Sequence, residues 1–210
     1  MIVLIPYKDD GVNGHELRYG IRSMVRHFKE MTGVCLIGDK PTWYTGEYIP
    51  MKDGGRKEQN IVSKVLSSPY ETFLYSNDDF FALKDFDSSL PNYYSMQLKY
   101  YKGGGRYPER VKAVMELYPE GLMYDTHTPI VINLTAYKDA NSKAEWDKKD
   151  YLAKSVYGNF IGGGEQLDDY KLKTGKVIDM NQPFFSTNNM TGRLIRLYEI
   201  YPDASQYEKS

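Results

Sequence analysis

Residues 1–38 read MIVLIPYKDDGVNGHELRYGIRSMVRHFKEMTGVCLIG, and their pattern indicates the fold class. The apolar run at residues 1–7 predicts a buried strand, which the turn residues after it bring to an end. Residues 15–31 carry apolar side chains at helical spacing and predict a helix that Gly33 ends. The run at residues 34–38 predicts a second strand. Strand, helix and strand within about forty residues form a βαβ unit, so the sheet should be at least partly parallel.

The rest of the chain continues the alternation of helices and strands, which predicts an α/β fold with a mixed, mostly parallel central sheet flanked by helices. The pattern predicts, in order, a connection at 43–55, a helix at 56–67, a strand at 72–75, a further strand at 93–101, a glycine-rich loop and helix at 103–119, a loop and strand at 121–133, helix within 136–157, a glycine-rich turn and short helix at 158–172, two short extended pieces at 176–189, and a helix at 191–202.

Length, charge and composition indicate which classes of protein this chain can belong to. The chain has 210 residues, 27 basic and 28 acidic, with a net charge of −1. One domain is expected from the length, and the balanced charge argues against a protein that coats nucleic acid, although it leaves room for a local basic groove. The 20 tyrosines suit the binding of sugars or bases, but ordinary packing accounts for most of them. The single cysteine, Cys35, lies in an apolar run and indicates a reducing compartment. We expect a cytoplasmic protein without a membrane span.

Three polar residues follow directly after the strand at residues 72–75, namely Asn77, Asp78 and Asp79. Ligands of open α/β sheets bind beyond the carboxyl ends of the strands. Carboxylates there suit Mg²⁺ or Mn²⁺, which share their coordination with substrate phosphates. Asn-Asp-Asp is also good turn chemistry. The sequence therefore predicts either a metal site at Asp78 and Asp79 or a simple turn.

Basic and amide side chains near the predicted strand ends indicate a phosphate site. Arg18 and Arg22 lie one turn apart near the start of the first helix, Lys8 follows the first strand, and Lys57 and Asn60 begin the next helix. Helix N-termini and arginine side chains both favour phosphate groups. Each residue alone is an ordinary solvated side chain. Together with the two acids they predict a site for the diphosphate of a donor.

His127 lies in a polar loop, DTHTP, just before an apolar strand, with Asp125 two residues earlier. A histidine in such a loop can take a proton from an acceptor hydroxyl. It can equally be a loop histidine that bonds a backbone carbonyl. The residues around His127 leave both interpretations open.

Several separated stretches, in order along nearly the whole chain, share a pattern. They are ELRYGIRS (16–23) with GDKPTW (38–43), the helix with Asn60, FLYSNDDFF (73–81), His127 with Pro129, and FFSTNN (184–189) with YPDASQYE (201–208). In this pattern the chain resembles the Stealth family, which includes bacterial capsular polysaccharide phosphotransferases and the animal N-acetylglucosamine phosphotransferase that marks lysosomal enzymes.

The chain also departs from the pattern of this family. Between His127 and Thr191 it has no arginine, where the resemblance leads us to expect one near the transferred group. Four lysines are candidates to replace it, although lysine lacks the bidentate guanidinium. They are Lys143, Lys148, Lys149 and Lys154. Asn188 and Asn189 stand where an acid is more usual.

The resemblance implies a fold like that of the A-type (GT-A) glycosyltransferases, with residues 1–85 as a donor-binding half and residues 86–210 as an acceptor and catalytic half. It implies a metal-dependent transfer of sugar-1-phosphate from a UDP-sugar or similar donor to a hydroxyl of a saccharide acceptor. Two alternatives stay open. One is a glycosyltransferase that moves the sugar itself to a carbohydrate or to modified nucleic acid. The other is a non-catalytic module that binds carbohydrate or nucleotide.

The expected roles of the site residues follow from this reading. Asp78 and Asp79 hold Mg²⁺ or Mn²⁺, and His127 acts with Asp79 as a catalytic residue, as general base or by orienting the acceptor. The residues expected to contact the donor are Lys8, Arg18, Arg22, Asp39, Lys57, Asn60, Asn77 and Asn188.

Overall fold

The structure is a computed structural model that describes residues 1–9, 11, 14–172, 177–187 and 194–209, without the side chains of residues 194 and 195. Within these residues the strands form a five-stranded, a three-stranded and a two-stranded sheet. The strands are β1 (Ile2–Tyr7), β2 (Gly33–Gly38), β3 (Glu47–Pro50), β4 (Thr72–Tyr75), β5 (Phe80–Ala82), β6 (Tyr93–Tyr94), β7 (Ile130–Asn133), β8 (Glu165–Gln166), β9 (Lys171–Leu172) and β10 (Phe184–Thr187).

Helices lie in several of the connections between these strands. The α-helices are α1 (His15–His27), α2 (Lys57–Leu66), α3 (Tyr107–Leu117), α4 (Leu134–Ser142), α5 (Ala153–Ile161) and α6 (Leu194–Ile200). A short 3₁₀-helix covers Leu98–Tyr100. In the described part of the chain, no helix is both long enough and apolar enough to cross a membrane.

The central sheet has the strand order β3-β2-β1-β4-β7. β1 pairs in parallel with β2 and β4, and β2 pairs in parallel with β3. β7 closes one edge and runs antiparallel to β4, with Ile130 opposite Tyr75 and Asn133 opposite Thr72. The predicted α/β fold, with a mixed and mostly parallel sheet flanked by helices, is confirmed.

Side chains of β1 alternate between the two faces of the central sheet, as the pleat of a strand requires. Leu4 packs into a core with α2, α4 and α5, while Val3 and Ile5 pack into a second core against α1. All three side chains are at most 1% exposed. Each buried aliphatic side chain of this size contributes about 1.5–3 kcal/mol to folding. Both faces of the sheet are therefore covered, as expected for parallel strands.

The three-stranded sheet packs beside the first one and has the order β5-β10-β9. β5 begins immediately after the acids that follow β4, and it runs antiparallel to β10. The Ser23 hydroxyl of α1 accepts a hydrogen bond from the Ala82 amide at 3.1 Å, which attaches β5 to the helix. β9 pairs in parallel with β10, with Lys171 opposite Ser186. This sheet brings two distant parts of the chain close to the end of β4.

Several predicted elements were wrong in detail. Residues 47–50 form an edge strand rather than a connection, which their weak apolar character concealed. Residues 158–172 contain no short helix after the turn, because Gly162, Gly163 and Gly164 have φ values of 71°, 72° and 115°, and the chain continues as β8 and β9. Of the strand predicted at 93–101, only its first two residues are extended as β6. The remaining residues form the loop that contains the 3₁₀-helix.

A salt bridge joins α1 to the end of the described chain. The Arg22 guanidinium donates from Nε and Nη2 to the two carboxylate oxygens of Glu208, each at 2.8 Å, and from Nη1 to the Tyr201 carbonyl at 3.0 Å. Glu208 also accepts from the Ser205 amide at 2.8 Å. The Arg22 and Glu208 side chains are 9% and 3% exposed. Because a buried, bidentate pair with further hydrogen bonds leaves few charges unpaired, it holds the C-terminal segment firmly on the helix.

Replacing Arg22 by alanine removes both bidentate hydrogen bonds of the buried Glu208 carboxylate and leaves Arg18 Nε, at 3.4 Å, as its remaining cationic neighbour. We expect Arg22→Ala to lower the free energy of unfolding by about 3 kcal/mol or more, measured by urea denaturation. Arg196→Ala serves as the matched control, because Arg196 pairs with Glu199 at a site where both side chains are half exposed. That change should cost less than about 0.5 kcal/mol. Equal denaturation midpoints for the two variants would show that the Arg22 pair is not structural.

Candidate active site

A cleft of about 1130 Å³ opens at the carboxyl ends of β1 and β4. Both halves of the chain contribute to its walls. The charged and amide side chains that line it are Lys8, Glu16, Asp53, Lys57, Glu58, Asn60, Lys64, Asn77, Asp78, Asp79, Arg110, Asp125, His127, Lys154, Asp168, Asp169 and Lys171.

The direction of β7 explains why His127 and the acids after β4 share this cleft. Because β7 is antiparallel to β4 and Ile130 pairs with Tyr75, the residues before β7 meet the residues after β4. Helix α1 packs against the acidic turn that contains Asp78 and Asp79. A Cβ atom at position 20, a glycine, would lie 3.0 Å from the Asp78 carbonyl oxygen. The glycine therefore permits the close approach of the helix to the turn.

His127 is the centre of a chain of hydrogen-bonded and charged groups. Asp169 accepts from the His127 backbone amide at 2.8 Å and pairs with its Nδ1 at 2.7 Å. The His127 Nε2 lies 2.8 Å from the Lys171 Nζ, which is 4.0 Å from the Asp79 Oδ2. Ser186 Oγ donates to the same Asp79 oxygen at 3.0 Å. Burial acts to raise the pKa of Asp169, but the hydrogen bond and the charge of His127 outweigh it and lower that pKa.

Lys154 fixes the loop that carries His127. Its buried Nζ donates to the carbonyl oxygens of Thr126 and Thr128, at 2.7 and 2.6 Å, so it bonds the backbone on both sides of the histidine. The same nitrogen lies 5.3 Å from the centre of the Phe80 ring. Burial lowers the pKa of Lys154 to about 8, while neighbouring carboxylates, Asp125 foremost, oppose that shift. Lys154 is therefore a positioning residue for His127.

A second group of ionisable residues forms another wall of the cleft. Glu58, at the start of α2, accepts from the Ala153 amide at 3.3 Å and lies 3.4 Å from Arg110 Nη1. Asp125 accepts a hydrogen bond from the Tyr107 hydroxyl. Burial, together with the charge of Asp125, raises the pKa of Glu58 to about 7. Neither Glu58 nor Arg110 stands in a sequence pattern that indicates a functional site. A buried, titratable carboxyl group in a cleft is typical of functional sites.

Comparison with solved structures identifies the fold. The galactosyltransferase LgtC, in complex with donor and acceptor sugar analogs, superposes with a TM-score of 0.53 at 10% sequence identity, over 98% of this chain and 97% of that one. An active-site mutant of LgtC gives 0.52 at 9% identity, over 98% of each chain. The chain has a GT-A-like fold. No protein-family model matches the sequence, and no curated protein sequence matches it. The likeness thus rests on the arrangement of the backbone.

In this GT-A-like fold the cleft brings seven of the predicted site residues together. The residues are Lys8, Lys57, Asn60, Asn77, Asp78, Asp79 and His127. Two of them, Asn60 and Lys8, contact the loop before α2. The Asn60 side chain bonds the backbone of Gly54 and Gly55, so it shapes the loop before α2. Lys8 lies 3.5 Å from Asp53 and stays 71% exposed.

Three predicted donor-binding residues do not line the cleft. Arg22 is bound to Glu208, and Arg18 stacks on the Trp43 ring at 4.7 Å with its Nε 3.4 Å from the same carboxylate. Asp39 accepts from the amide of Asp9 at the rim of β1. The structure thus does not bring these three residues into the cleft. A basic row on a helix does not reveal its partner, and Glu208, which binds Arg22, lies more than 180 residues away in sequence. Asn188 lies outside the described residues.

Of the four lysines predicted as candidates to replace the expected arginine, Lys154 lines the cleft. Three of the candidate lysines do not line the cleft: Lys143 lies over the Phe160 ring, and Lys148 and Lys149 pair with surface glutamates. Lys154 lines the cleft but is bound to two carbonyl groups. Lys171, which the sequence analysis did not consider, is the lysine next to Asp79.

The acids after β4 suit a particular kind of metal site. Among the residues that the structure describes, no three His, Cys, Asp or Glu side chains group as metal ligands. Asp78 and Asp79 nevertheless both line the cleft. Mg²⁺ commonly binds one or two carboxylates and takes its remaining ligands from water and substrate phosphates. The two residues therefore fit a cation shared with a phosphate-bearing substrate, and they do not fit a closed protein site.

The raised pKa of Glu58 predicts how stability depends on pH. Its folded-state pKa of about 7 exceeds its usual value of 4.5, so the folded chain binds more protons between these values than the unfolded chain does. This contribution is fully present below about pH 4.5 and is lost as the pH rises through about 7. We expect Glu58→Gln to gain stability relative to the unmodified chain by about 1 to 3 kcal/mol across this window, measured by urea denaturation.

A surface glutamate provides the control for this experiment. Glu116 pairs with Lys149, and this hydrogen bond lowers its pKa. Glu116→Gln should therefore give a small change of the opposite sign. A stability difference for Glu58→Gln that does not vary with pH would contradict the assignment of a raised pKa.

Proposed function

We propose that this chain is a nucleotide-sugar-dependent transferase that acts on a hydroxyl group of a saccharide acceptor. The observation that carries this proposal is the meeting of Asp79 with the Asp169–His127 pair in one cleft, at the carboxyl edge of the sheet of a GT-A-like fold. Ligands of open α/β sheets bind at this edge. A carboxylate pair for a cation and a carboxylate-oriented histidine are the two kinds of group that such a transfer needs.

The donor side of the cleft is assigned to the residues after β4 and at the start of α2. Asp78 and Asp79 would hold Mg²⁺ or Mn²⁺, which neutralises the charge that develops on a departing phosphate. Lys57 lines the same cleft and adds positive charge near the N-terminus of α2. The Asn77 side-chain oxygen Oδ1 accepts a hydrogen bond from the Tyr75 hydroxyl, which orients the side-chain amide in the cleft.

The acceptor hydroxyl is assigned to His127. Asp169 bonds both the backbone amide and Nδ1 of this residue, which fixes the ring and places the hydrogen on Nδ1. The Nε2 lone pair can then take the proton of the attacking hydroxyl as its oxygen forms the new bond. Lys154 keeps the loop in place through its two carbonyl contacts. The rigid loop lowers the cost of bringing base and acceptor into line.

The bond that breaks distinguishes two candidate reactions. Transfer of sugar-1-phosphate, in which the hydroxyl attacks the sugar-linked phosphorus and UMP leaves, is supported by the Stealth-like stretches, of which residues 77–80 and His127 line the cleft. Transfer of the sugar, in which the hydroxyl attacks the anomeric carbon and UDP leaves, is supported by the likeness to LgtC, described as a galactosyltransferase. We place sugar-1-phosphate transfer first because several Stealth-like stretches, in the same order along the chain as in that family, support it.

Product analysis tests the proposal and separates the two reactions. The chain is incubated with Mg²⁺, a panel of UDP-sugars and simple saccharides, and the products are measured by mass spectrometry. Release of UMP with a mass gain of one sugar phosphate supports the first reaction, and release of UDP supports the second. Tight UDP-sugar binding without any turnover would indicate a binding module. Absence of both binding and turnover would contradict the proposal.

Asp79 should be required for turnover and dispensable for folding. Asp79→Asn keeps an oxygen that can accept from Ser186 but removes the negative charge that a cation needs. We expect the rate to fall about 100-fold or more with an unchanged melting temperature. Asp87→Asn is the matched control, because Asp87 is a surface residue whose carboxylate accepts hydrogen bonds from Ser89 and which lies outside the cleft lining. Full activity of Asp79→Asn would remove this residue from the mechanism.

Removal of His127 should affect chemistry more than donor binding. A general base contributes about 100-fold to 10,000-fold to the rate, so we expect His127→Ala to lower kcat by at least about 100-fold. The KM for the donor should change little, because the imidazole acts on the acceptor. His15→Ala, at an exposed position that does not line the cleft, should keep both constants. A large rise in donor KM with unchanged kcat would assign His127 to donor binding instead.

A further inference from the structure

Lys171 is a charged residue of the cleft to which the proposed reaction gives no task. Its Nζ lies between two groups with assigned roles, 2.8 Å from His127 Nε2 and 4.0 Å from Asp79 Oδ2. The side chain is 29% exposed, and its four-carbon stem has several rotatable bonds. Its backbone is fixed, because β9 pairs with β10 and Lys171 lies opposite Ser186. A fixed backbone with a long, flexible side chain gives the ammonium group more than one reachable partner.

The contact with Lys171 occupies the nitrogen that the reaction needs. An ammonium group has three N–H donors and no acceptor. The Lys171–His127 bond therefore uses the Nε2 lone pair, and Asp169 holds the hydrogen of Nδ1. Both ring nitrogens are then engaged by the protein. While this arrangement lasts, His127 cannot accept a proton from a hydroxyl group.

A diphosphate at Asp79 would offer Lys171 a stronger partner than the imidazole. Phosphate oxygens carry full negative charge, and lysine is a common phosphate ligand as a compact point charge. The ammonium is already within 4.0 Å of the carboxylate that is assigned to the donor side. A neutral imidazole nitrogen binds an ammonium group less strongly than a phosphate oxygen does, because hydrogen bonds between two charged groups are the stronger kind.

We propose that Lys171 covers His127 Nε2 in the free protein and moves to the phosphates of a bound nucleoside diphosphate group, which exposes Nε2 to the acceptor. This inference rests on the proposed function of the cleft. No proton is transferred in the exchange: Lys171 keeps its three N–H groups, and one hydrogen bond replaces another. Donor binding then precedes the activation of the acceptor hydroxyl. The exchange keeps the base inactive until a donor is present.

Histidine NMR with UDP as the probe tests the exchange directly. The protein is labelled with ¹⁵N in its 3 histidines and titrated with UDP in the presence of Mg²⁺ at constant pH. In the unmodified protein we expect the His127 Nε2 resonance to move towards that of a free imine nitrogen as UDP saturates. In Lys171→Met the resonance should already stand at that position without UDP. Lys148→Met, at an exposed lysine outside the cleft lining, should behave as the unmodified protein does.

The affinity for UDP provides a second readout. We expect Lys171→Met to weaken UDP binding by about tenfold or more, because a charge-assisted hydrogen bond to phosphate is lost. Lys171→Arg keeps the positive charge and should recover part of the affinity. If Lys171 had only a structural role, UDP affinity would not rank Lys171→Arg above Lys171→Met. Nor would the His127 Nε2 resonance shift when UDP binds.

The outcomes separate failure of this inference from failure of the proposed function. If UDP binds the unmodified protein and the His127 Nε2 resonance stays unchanged, the inference is overturned and the proposed function stands. The same conclusion follows if Lys171→Met binds UDP as tightly as the unmodified protein. If UDP binds none of the proteins, the proposed function and the inference are both overturned. The titration of the unmodified protein needs no variant, so a folding defect in Lys171→Met leaves the test decisive.

Discussion

The antiparallel pairing of β7 with β4 is the constraint on which the cleft depends. Strands that follow a crossover helix in such a sheet usually run parallel, and a parallel β7 would place the loop with His127 at the opposite edge of the sheet from Asp79. The observed register sets Ile130 opposite Tyr75. One reversal of strand direction therefore unites residues that lie about fifty positions apart in sequence. The three-stranded sheet adds Asp169 and Lys171 to the same place.

The cleft balances buried charges of both signs. Burial of an isolated ion costs several kcal/mol, and a partner or a set of hydrogen bonds must offset that cost. Lys154, which is buried, meets it with two carbonyl oxygens. Glu58 has weaker partners at 3.3 and 3.4 Å, and burial raises its pKa to about 7. Such incomplete compensation is common where binding or chemistry takes place.

The parts of the structure that follow from local periodicity could be predicted from the sequence. The βαβ unit of residues 1–38 and the strand at 72–75 have long apolar patterns, and the residues directly after them were placed in the cleft for that reason. Strands of two residues carry no periodic signal, so β8 and β9 were missed. Asp169 and Lys171, which lie at or just before β9, were therefore not predicted as site residues, although both are charged.

Side chains whose partners lie far away in sequence were the second source of error. Arg22 was assigned to a phosphate because it stands near the start of a helix, which is a local signal. Its true partner is Glu208, and the pairing depends on the path of the whole chain. Glu58 was missed for the related reason that its burial is produced by α5 and by Arg110, neither of which is near it in sequence.

The salt bridge between Arg22 and Glu208 has a consequence for biosynthesis. A ribosome releases α1 early, whereas the carboxylate that neutralises Arg22 is made 186 residues later. Until then the nascent helix has an unmatched cation on a face that the finished molecule buries. A product of synthesis interrupted before residue 208 lacks this pair, so its first helix forms without the contact that attaches the C-terminal segment to it.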